Sequence, residues 1–388
     1  MKANVTSGEE PIAGVLREAI AGAGGSLPFC RFMELALYHP RHGYYMTGRT
    51  RVGRGGDFVT APELTSLFGE LLALQCIEIW QLLGRPALFE VIEMGGGSGR
   101  LALDILTTAR RFPEFFPALR YGLVEISPDF RDRQERLLQE AGFGPERVAW
   151  LAGVPETVAD GVILGNEFLD AMPVHWVEMG ADGLRELAVT MDRDGGLQNC
   201  HREPCEARIA AYFEGAGIGL PVGFRDEVGL AAWDWMADVG MRLRRGVLLM
   251  IDYGEVDQDH FGPYRQAGTL VGHRDGERVD DPLRHPGAMD LTAHVNFSAM
   301  ARAGVAGGLE LLGFTTQGWF LQGLGILERL EMAARRMEPE AVERLRKVAM
   351  RLLLPDEMGE RFKVLAMGRG VGDGVLSGFR LNDQRNRL

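Results

Sequence analysis

Lysine is almost missing from this 388-residue chain: Lys2, Lys347 and Lys363 are the only three, so nearly every positive charge is a guanidinium. With the abundant Gly and Ala, this bias points to a GC-rich coding sequence of bacterial type. Positive charge is itself scarce, 42 Lys and Arg against 54 Asp and Glu, for a net charge of −12. That balance argues against a general nucleic-acid binder, which needs a basic face; its field suits a cationic substrate, and solubility accounts for the same charge equally well. The four cysteines form no CxxC pair. Cys200 and His201 with Cys205 make a partial ligand set that lacks a fourth member nearby, so no metal is expected. A reducing cytoplasm is the compartment implied. No apolar run reaches the roughly 18 residues of a membrane span. The first residues, MKANVTSGEEPIAG, have neither the apolar core of a signal peptide nor the Arg/Ser-rich character of a transit peptide, so no targeting segment is expected. The length suits one large α/β domain with insertions, or two domains.

What is present in force is glycine at meaningful positions. Residues 88–100 read LFEVIEMGGGSGR. An apolar run ends in Glu93, Gly95, Gly97 and Gly99 follow at alternate positions, and a helix-forming run begins. This is the pattern of a buried parallel strand, a tight turn and a helix. Glycine serves where backbone turns with positive φ and approaches a ligand closely, and such turns hold nucleotide-like cofactors at the carboxyl ends of strands. A dinucleotide fingerprint can be forced onto Gly97, Gly99 and Ala102. It wants a pyrophosphate on the helix N-terminus and does not explain a carboxylate two residues before the first glycine. S-adenosylmethionine (SAM) fits better, because an acid there meets the methionine ammonium or fixes the loop. The bland alternative is a turn that merely packs a helix on a sheet. A second strand, RYGLVEIS at 120–127, ends in Glu125 before Pro128 opens a helix. A carboxylate at that strand end can accept both hydroxyls of a ribose, although alone it would read as a cap or solvated charge.

Strands and helices alternate along the chain as in an open, mostly parallel sheet. The pattern predicts a helix over 28–38, a turn-rich loop over 40–62, a single apolar helix from 62 to 84, and strand–helix units at 88–110 and 120–141. Short strands follow at 148–152 and 161–166. From 173 to 245 the pattern becomes hairpin-like, with a helix near 226–243, and reads as an insertion. GVLLMIDYG at 246–254 resumes the sheet, 255–289 reads as a polar loop, helices are expected over 296–312 and 323–354, and RFKVLAMG at 361–368 would close the sheet. In the loop GGDFVTAPE at 55–63, Asp57, Thr60 and Glu63 are capping residue types, and Thr60 with Glu63 has capping-box spacing. The functional alternative is a lid segment over the cofactor.

The segment GNEFLDAMPVHW at 165–176 is the candidate reaction centre. Asn166 and Glu167 follow a sheet strand on the rim that carries Glu93 and Glu125, and Asp170 is within reach of Glu167 if that turn is helical. A guanidinium acceptor is protonated at physiological pH and needs carboxylates to grip and polarise it. Glu167 is the first choice for that role, Asp170 the helper and Asn166 the orienting amide. The alternative for both acids is helix capping.

The ordered set FMELALYHPRHGYY (32–45), GDFVTAPELTSLFGE (56–70), IEMGGGSG (92–99), LVEISPDFRDRQ (123–134), GNEFLDAMPVHW (165–176), IDYGE (251–255), DLTAHVNF (290–297), TQGWFLQGLGI (316–326) and MGERFKVLAMG (358–368) resembles the MidA-like family. These are SAM-dependent methyltransferases related to a mitochondrial complex I assembly factor that methylates arginine. The resemblance spans roughly residues 10 to 370. It implies an α/β, Rossmann-like class I methyltransferase sheet with helices on both faces, an N-terminal helical segment and C-terminal helices. Residues 10–172 and 246–370 would form the SAM-binding domain, and 173–245 an inserted, hairpin-containing substrate-side subdomain. It also implies symmetric dimethylation of an arginine on a complex I subunit, as in the mitochondrial member, and hence a protein partner. Residue by residue, the SAM loop falls on Glu93, Gly95, Gly97 and Gly99, the ribose acid on Glu125, and the Asn-Glu motif on Asn166 and Glu167; the 55–63 loop adds Asp57 and Thr60 as cofactor contacts. Where many relatives have Pro and Arg after the first two glycines, this chain has Gly96 and Ser98. Alternatives from other classes are methyl transfer to another protein or a small molecule, and a client-binding assembly factor with vestigial catalysis. A nicotinamide oxidoreductase is disfavoured because no hydride-transfer site accompanies the glycines.

Overall fold

The computed structural model describes residues 12–48, 60–372 and 374–388. Its centre is an eight-stranded sheet ordered Glu310–Thr316, Phe362–Arg369, Leu243–Glu255, Val158–Asn166, Phe89–Met94, Leu119–Val124 and Val148–Leu151, with Val295–Asn296 also pairing on Leu243–Glu255. The five strands from Leu243–Glu255 to Val148–Leu151 are parallel. Phe362–Arg369 is antiparallel and lies between two strands rather than at the edge. The sheet closes on Glu310–Thr316, within a stretch the sequence pattern assigned in part to a helix. That helix ends at Ala306, where Gly307 and Gly308 break it.

Successive side chains of a strand point to opposite faces, and both faces are buried here, as parallel sheets require. Val91, Val162, Leu164, Leu249 and Ile251 pack under the Ser66–Leu82 and Arg100–Ala109 helices. Ile92, Ile163, Leu248 and Met250 pack on the other face, against Met236 and Val239 of the Leu230–Arg242 helix and Phe297 and Met300 of the Phe297–Ala306 helix.

Residues 175–228 build a second, five-stranded sheet from His175–Gly180, Gly183–Met191, Leu197–Arg202 and Arg225–Val228, completed by the N-terminal pair Leu27–Pro28. Its core is shared with the Phe29–Tyr38 helix, through Phe29, Phe32, Trp176, Leu187 and Val189. Removing this block would therefore uncover the N-terminal helices. The expected polar loop over 255–289 contains two strands, Val271–Arg274 and Glu277–Val279, of a small sheet shared with Asp290–Thr292. The helix expected from 62 to 84 is two helices, Ala61–Leu64 and Ser66–Leu82, because extended Thr65 caps the second by accepting from the Leu67 N–H. The 323–354 helix is likewise divided, into Ile326–Ala334 and Pro339–Leu353. Among the described residues, no helix is long and apolar enough to cross a membrane.

Candidate functional site

The register aligns the carboxyl ends of the central strands: Met94 lies beside Val124 and Gly165, and Asn166 beside Ile251. Directly beyond them opens a cavity of about 890 Å³. It is lined by Glu93, Gly95, Gly97, Glu125, Thr60, Asn166, Glu167 and Asp170. Asp57 lies outside the described residues. Gly99 does not line the cavity. It starts the Arg100–Ala109 helix at φ +82°, with its Cα hydrogen position 3.2 Å from Gln134 Cα when filled by a methyl.

The glycine turn is built as its sequence requires. Gly95 and Gly97 have φ of +62° and +50°. A side chain on Gly97 would meet nothing within 4 Å and would enter the cavity. Glu93 is buried and accepts from the Tyr121 hydroxyl at 2.6 Å; burial pushes its carboxyl up to about 8. Glu125 accepts from the Ser127 N–H at 2.9 Å and from Gln134 Nε2 at 3.2 Å. The same Gln134 amide donates to Gly97 O, and Trp150 donates to Gln134 Oε1, both at 2.9 Å. Tyr121, Gln134 and Trp150 thus hold the two acids and the turn, three roles that no local pattern announces. The expected Thr60–Glu63 capping box does not form: the Thr60 side chain caps nothing, and Glu63 instead accepts from the hydroxyl of Ser98 in the glycine turn. The Ala61–Leu64 helix is thereby tied over the cavity, and Ser98 has a structural partner.

Beyond the glycine turn the cavity is acidic and aromatic. Glu167 sits at φ +51°, a left-handed conformation that costs a non-glycine residue about 1–2 kcal/mol. Strain of this kind collects at functional sites. Its N–H donates to Ile251 O at 2.9 Å, and its carboxylate accepts from Asn166 Nδ2 at 3.2 Å and from the Ala61 N–H. Burial, then Asp170, push Glu167 up to about 8. Asp170 is in a turn, not a helix, and accepts from the Tyr253 hydroxyl at 2.5 Å while its Oδ1 has no partner. Burial raises it to about 6. Among the described residues no Lys, Arg or His is paired with Glu167 or Asp170. Tyr38 and Tyr45 stack 5.5 Å apart on the facing wall, their hydroxyls donating to Ala171 O and Asp290 Oδ1, each at 2.8 Å.

Asp252 shapes this turn. Its Oδ2 accepts from the N–H groups of Phe168, Leu169 and Asp170 at 3.1, 2.9 and 3.2 Å, and its Oδ1 from the Tyr253 N–H at 2.9 Å. Burial raises its carboxyl well above the ordinary range. Asp252→Ala would leave those buried N–H groups without an acceptor, at a cost of about 1–3 kcal/mol for a buried donor left unpaired. The expected outcome is a lower Tm together with impaired turnover, and Asp252→Asn, which keeps an acceptor oxygen, should recover most of the stability. Thermal unfolding followed by circular dichroism checks it.

The raised acids also predict a pH dependence. Glu167 goes from an ordinary 4.5 to about 8 on folding. A carboxyl raised by folding contributes stability that is whole below the unfolded value and lost as pH rises through the folded one. The ligand-free protein should therefore lose stability relative to Glu167→Gln as pH rises from 4.5 towards 8. Paired Tm measurements across that window test the sign; parallel curves would show that Glu167 is not raised.

This architecture, with acids ending two adjacent parallel strands around a three-glycine turn, defines a Rossmann-like nucleotide-cofactor enzyme. The profile of an S-adenosyl-L-methionine-dependent methyltransferase family matches residues 71–315, and the chain belongs to that family. A crystal structure of a Burkholderia thailandensis protein bound to S-adenosyl-homocysteine superposes with a TM-score of 0.89 at 38% identity, covering 98% of this chain and 97% of that one. A second structure of a protein from the same organism gives 0.87 at 36%, covering 98% and 96%. Curated relatives include the mitochondrial protein arginine methyltransferase NDUFAF7 of Bos taurus, 31% identical over 93% of this chain and 86% of the relative. The Drosophila melanogaster homolog is 30% identical over 94% and 86%. The cofactor is SAM. The residues present suit it: a side chain at Gly97 would meet nothing within 4 Å, so a ligand can lie against the backbone there, and Glu93 and Glu125 line the same cavity.

Proposed function

We propose that this methyltransferase modifies an arginine side chain of a protein. The observation that carries the reading is an acidic pair, Glu167 and Asp170, that no Lys, Arg or His among the described residues neutralises, facing Tyr38, Tyr45 and Tyr253 in the same cavity as the glycine turn. Desolvated carboxylates without a cation are costly, and a guanidinium supplies both the charge and the fork of donors they lack. The names of the NDUFAF7 relatives support it.

In this reading Glu93 faces the methionine ammonium, Glu125 the ribose hydroxyls, and the Gly95–Gly97 backbone lies along the cofactor. Thr60 contacts it from the lid side. Bound SAM would supply an electrophilic methyl group, the S–CH3 bond breaking with its electron pair left on the sulfur of S-adenosylhomocysteine. Glu167, held by Asn166 and the Ala61 N–H, grips the guanidinium and takes the proton that its nitrogen sheds when the lone pair is committed. Asp170 supports from the Tyr253 side, and the tyrosine rings exclude water and offer faces to the cation. The block at 173–245, together with the 255–297 stretch, would form the substrate-side wall. Symmetric dimethylation and a respiratory complex I subunit as acceptor are the finer part of this proposal. A bacterial cytoplasm is the setting proposed with it.

The test is transfer of isotopically labelled methyl from SAM to peptides that present Arg or Lys, followed by hydrolysis and amino-acid analysis. Symmetric dimethylarginine is the expected product. Label on lysine, or on small molecules alone, would overturn the arginine reading. Mass spectrometry of complex I subunits from a strain lacking the gene tests the partner, with one arginine losing its methyl groups as the expected result.

A further inference from the structure

The second sheet carries a cluster of ligand-type side chains that the methyltransferase site does not use. Cys30 lies in the first turn of the Phe29–Tyr38 helix, His175 begins one strand, Glu186 sits mid-strand in the next, and Cys205 precedes the Ala207–Ala216 helix. His175 Nδ1 is 2.8 Å from Glu186 Oε1, and Cys205 Sγ is 3.7 Å from that nitrogen and 3.4 Å from that oxygen. Donor atoms of Cys30, His175 and Glu186 lie within 4.8 Å of one another. We propose that Cys30, His175, Glu186 and Cys205 hold one zinc ion as a closed structural site.

Two sulfurs, an imidazole nitrogen and a carboxylate oxygen are zinc's preferred donors, and a tetrahedron with normal zinc–ligand lengths has edges of about 3.3–3.8 Å. The two edges from Cys205 Sγ, to His175 Nδ1 and Glu186 Oε1, already have that size. Cys30 Sγ comes within 4.8 Å of donor atoms of the same two residues and would close the rest. The His175–Glu186 edge opens by about half an ångström when the ion displaces its hydrogen bond. The surroundings match what a zinc site needs outside its ligands. With Nδ1 on the metal, His175 Nε2 faces Glu206 Oε1 at 3.9 Å, a carboxylate beside a ligating histidine. The second oxygen of Glu186 is occupied by the Cys205 N–H at 2.9 Å and lies 3.8 Å from Arg202 Nε. Two thiolates and one carboxylate around a dication leave one negative charge, which Arg202 balances. Glu186 is fully buried, while Cys205 is exposed, so the ion has an entry path.

The sequence pattern grouped Cys200 and His201 with Cys205 and led to an expectation of no metal. The fold draws them apart: Cys200 pairs in register with Ala188, and His201 Nε2 lies 3.5 Å from Glu178. What replaces them comes from a helix and two strands far apart in sequence. The ion would pin the helix that carries Tyr38 to the strand that begins five residues after Asp170, stiffening one wall of the cavity.

The test is metal analysis of the full chain, purified reduced and with any affinity tag removed. About one zinc per chain should survive gel filtration. Replacing the ion by Co²⁺ should give tetrahedral d–d bands with thiolate charge transfer. The Cys30→Ala/Cys205→Ala variant should bind at least about tenfold less metal, and Cys200→Ser as much as wild type. If the double variant does not fold, the wild-type stoichiometry and cobalt spectrum decide. Metal-free wild type with freely titrating thiols, a Cys30–Cys205 disulfide, or equal zinc in the double variant would each overturn the site.

Discussion

Glu167→Gln should lower methyl transfer about 10²-fold or more, the scale of losing one charged catalytic contact, while S-adenosylhomocysteine affinity stays within a few-fold. The amide keeps the shape of the side chain and its oxygen can still accept from Ala61 and Asn166, but it cannot pair with a cation or take a proton. Because Glu167 is raised to about 8, the wild-type kcat/KM for an arginine peptide should climb as pH rises towards that value and the carboxyl ionises. In kcat, which reports the bound complex, the paired cation should move that limb to lower pH. In Glu167→Gln that limb should flatten. Asp170→Asn should cost less, because Asp170 acts beside Tyr253 and not alone. A Glu167→Gln enzyme that turns over at the wild-type rate would relieve Glu167 of any catalytic role. Glu167→Gly supplies a separate check, since glycine accepts φ +51° without strain. A protein that is no less stable yet inactive would separate function from folding.

Gly97→Val should abolish cofactor binding, raising the S-adenosylhomocysteine Kd by about 10²-fold or more, equivalent to about 2.7 kcal/mol. Two effects combine. The valine side chain enters open space that faces the cavity, and φ +50° is costly for a β-branched residue. Neither threatens the sheet, so Tm should fall by only a few degrees. The same change at Gly99 would press on the Gln134 backbone and should unfold the turn instead. Isothermal titration calorimetry with S-adenosylhomocysteine distinguishes them; an unchanged Kd in Gly97→Val would move the cofactor away from the glycine turn.

Much of the central sheet was legible because its signals are local. An apolar strand core, a glycine turn and a helix start all fall within about a dozen residues, and parallel strands buried on both faces read as near-continuous apolar runs. The failures have equally local causes. The start of the Glu310–Thr316 strand reads as helix because LELLGF suits both states, although Gly307 and Gly308 end the helix before it. The 255–289 stretch looked like loop because its strands, Val271–Arg274 and Glu277–Val279, are four and three residues long. Thr60 and Glu63 had capping spacing, but Ser98 competes for the carboxylate from 35 residues away.

By itself the sequence determined the family, the cofactor and the rim of the sheet on which its acids stand, since strand ends and glycine turns are written in adjacent residues. Only the tertiary structure decided how those acids are held and charged. Tyr121 reaches Glu93 across 28 positions, and Asp252 gathers the 168–170 N–H groups from 82 to 84 positions away. It also decided which cysteines stand together: Cys30 meets His175 and Glu186, while Cys200, five residues from Cys205, is excluded. Hydrogen-bond partners and desolvation depend on which distant segments the packed core brings within a few ångströms, and no local spacing encodes that distance.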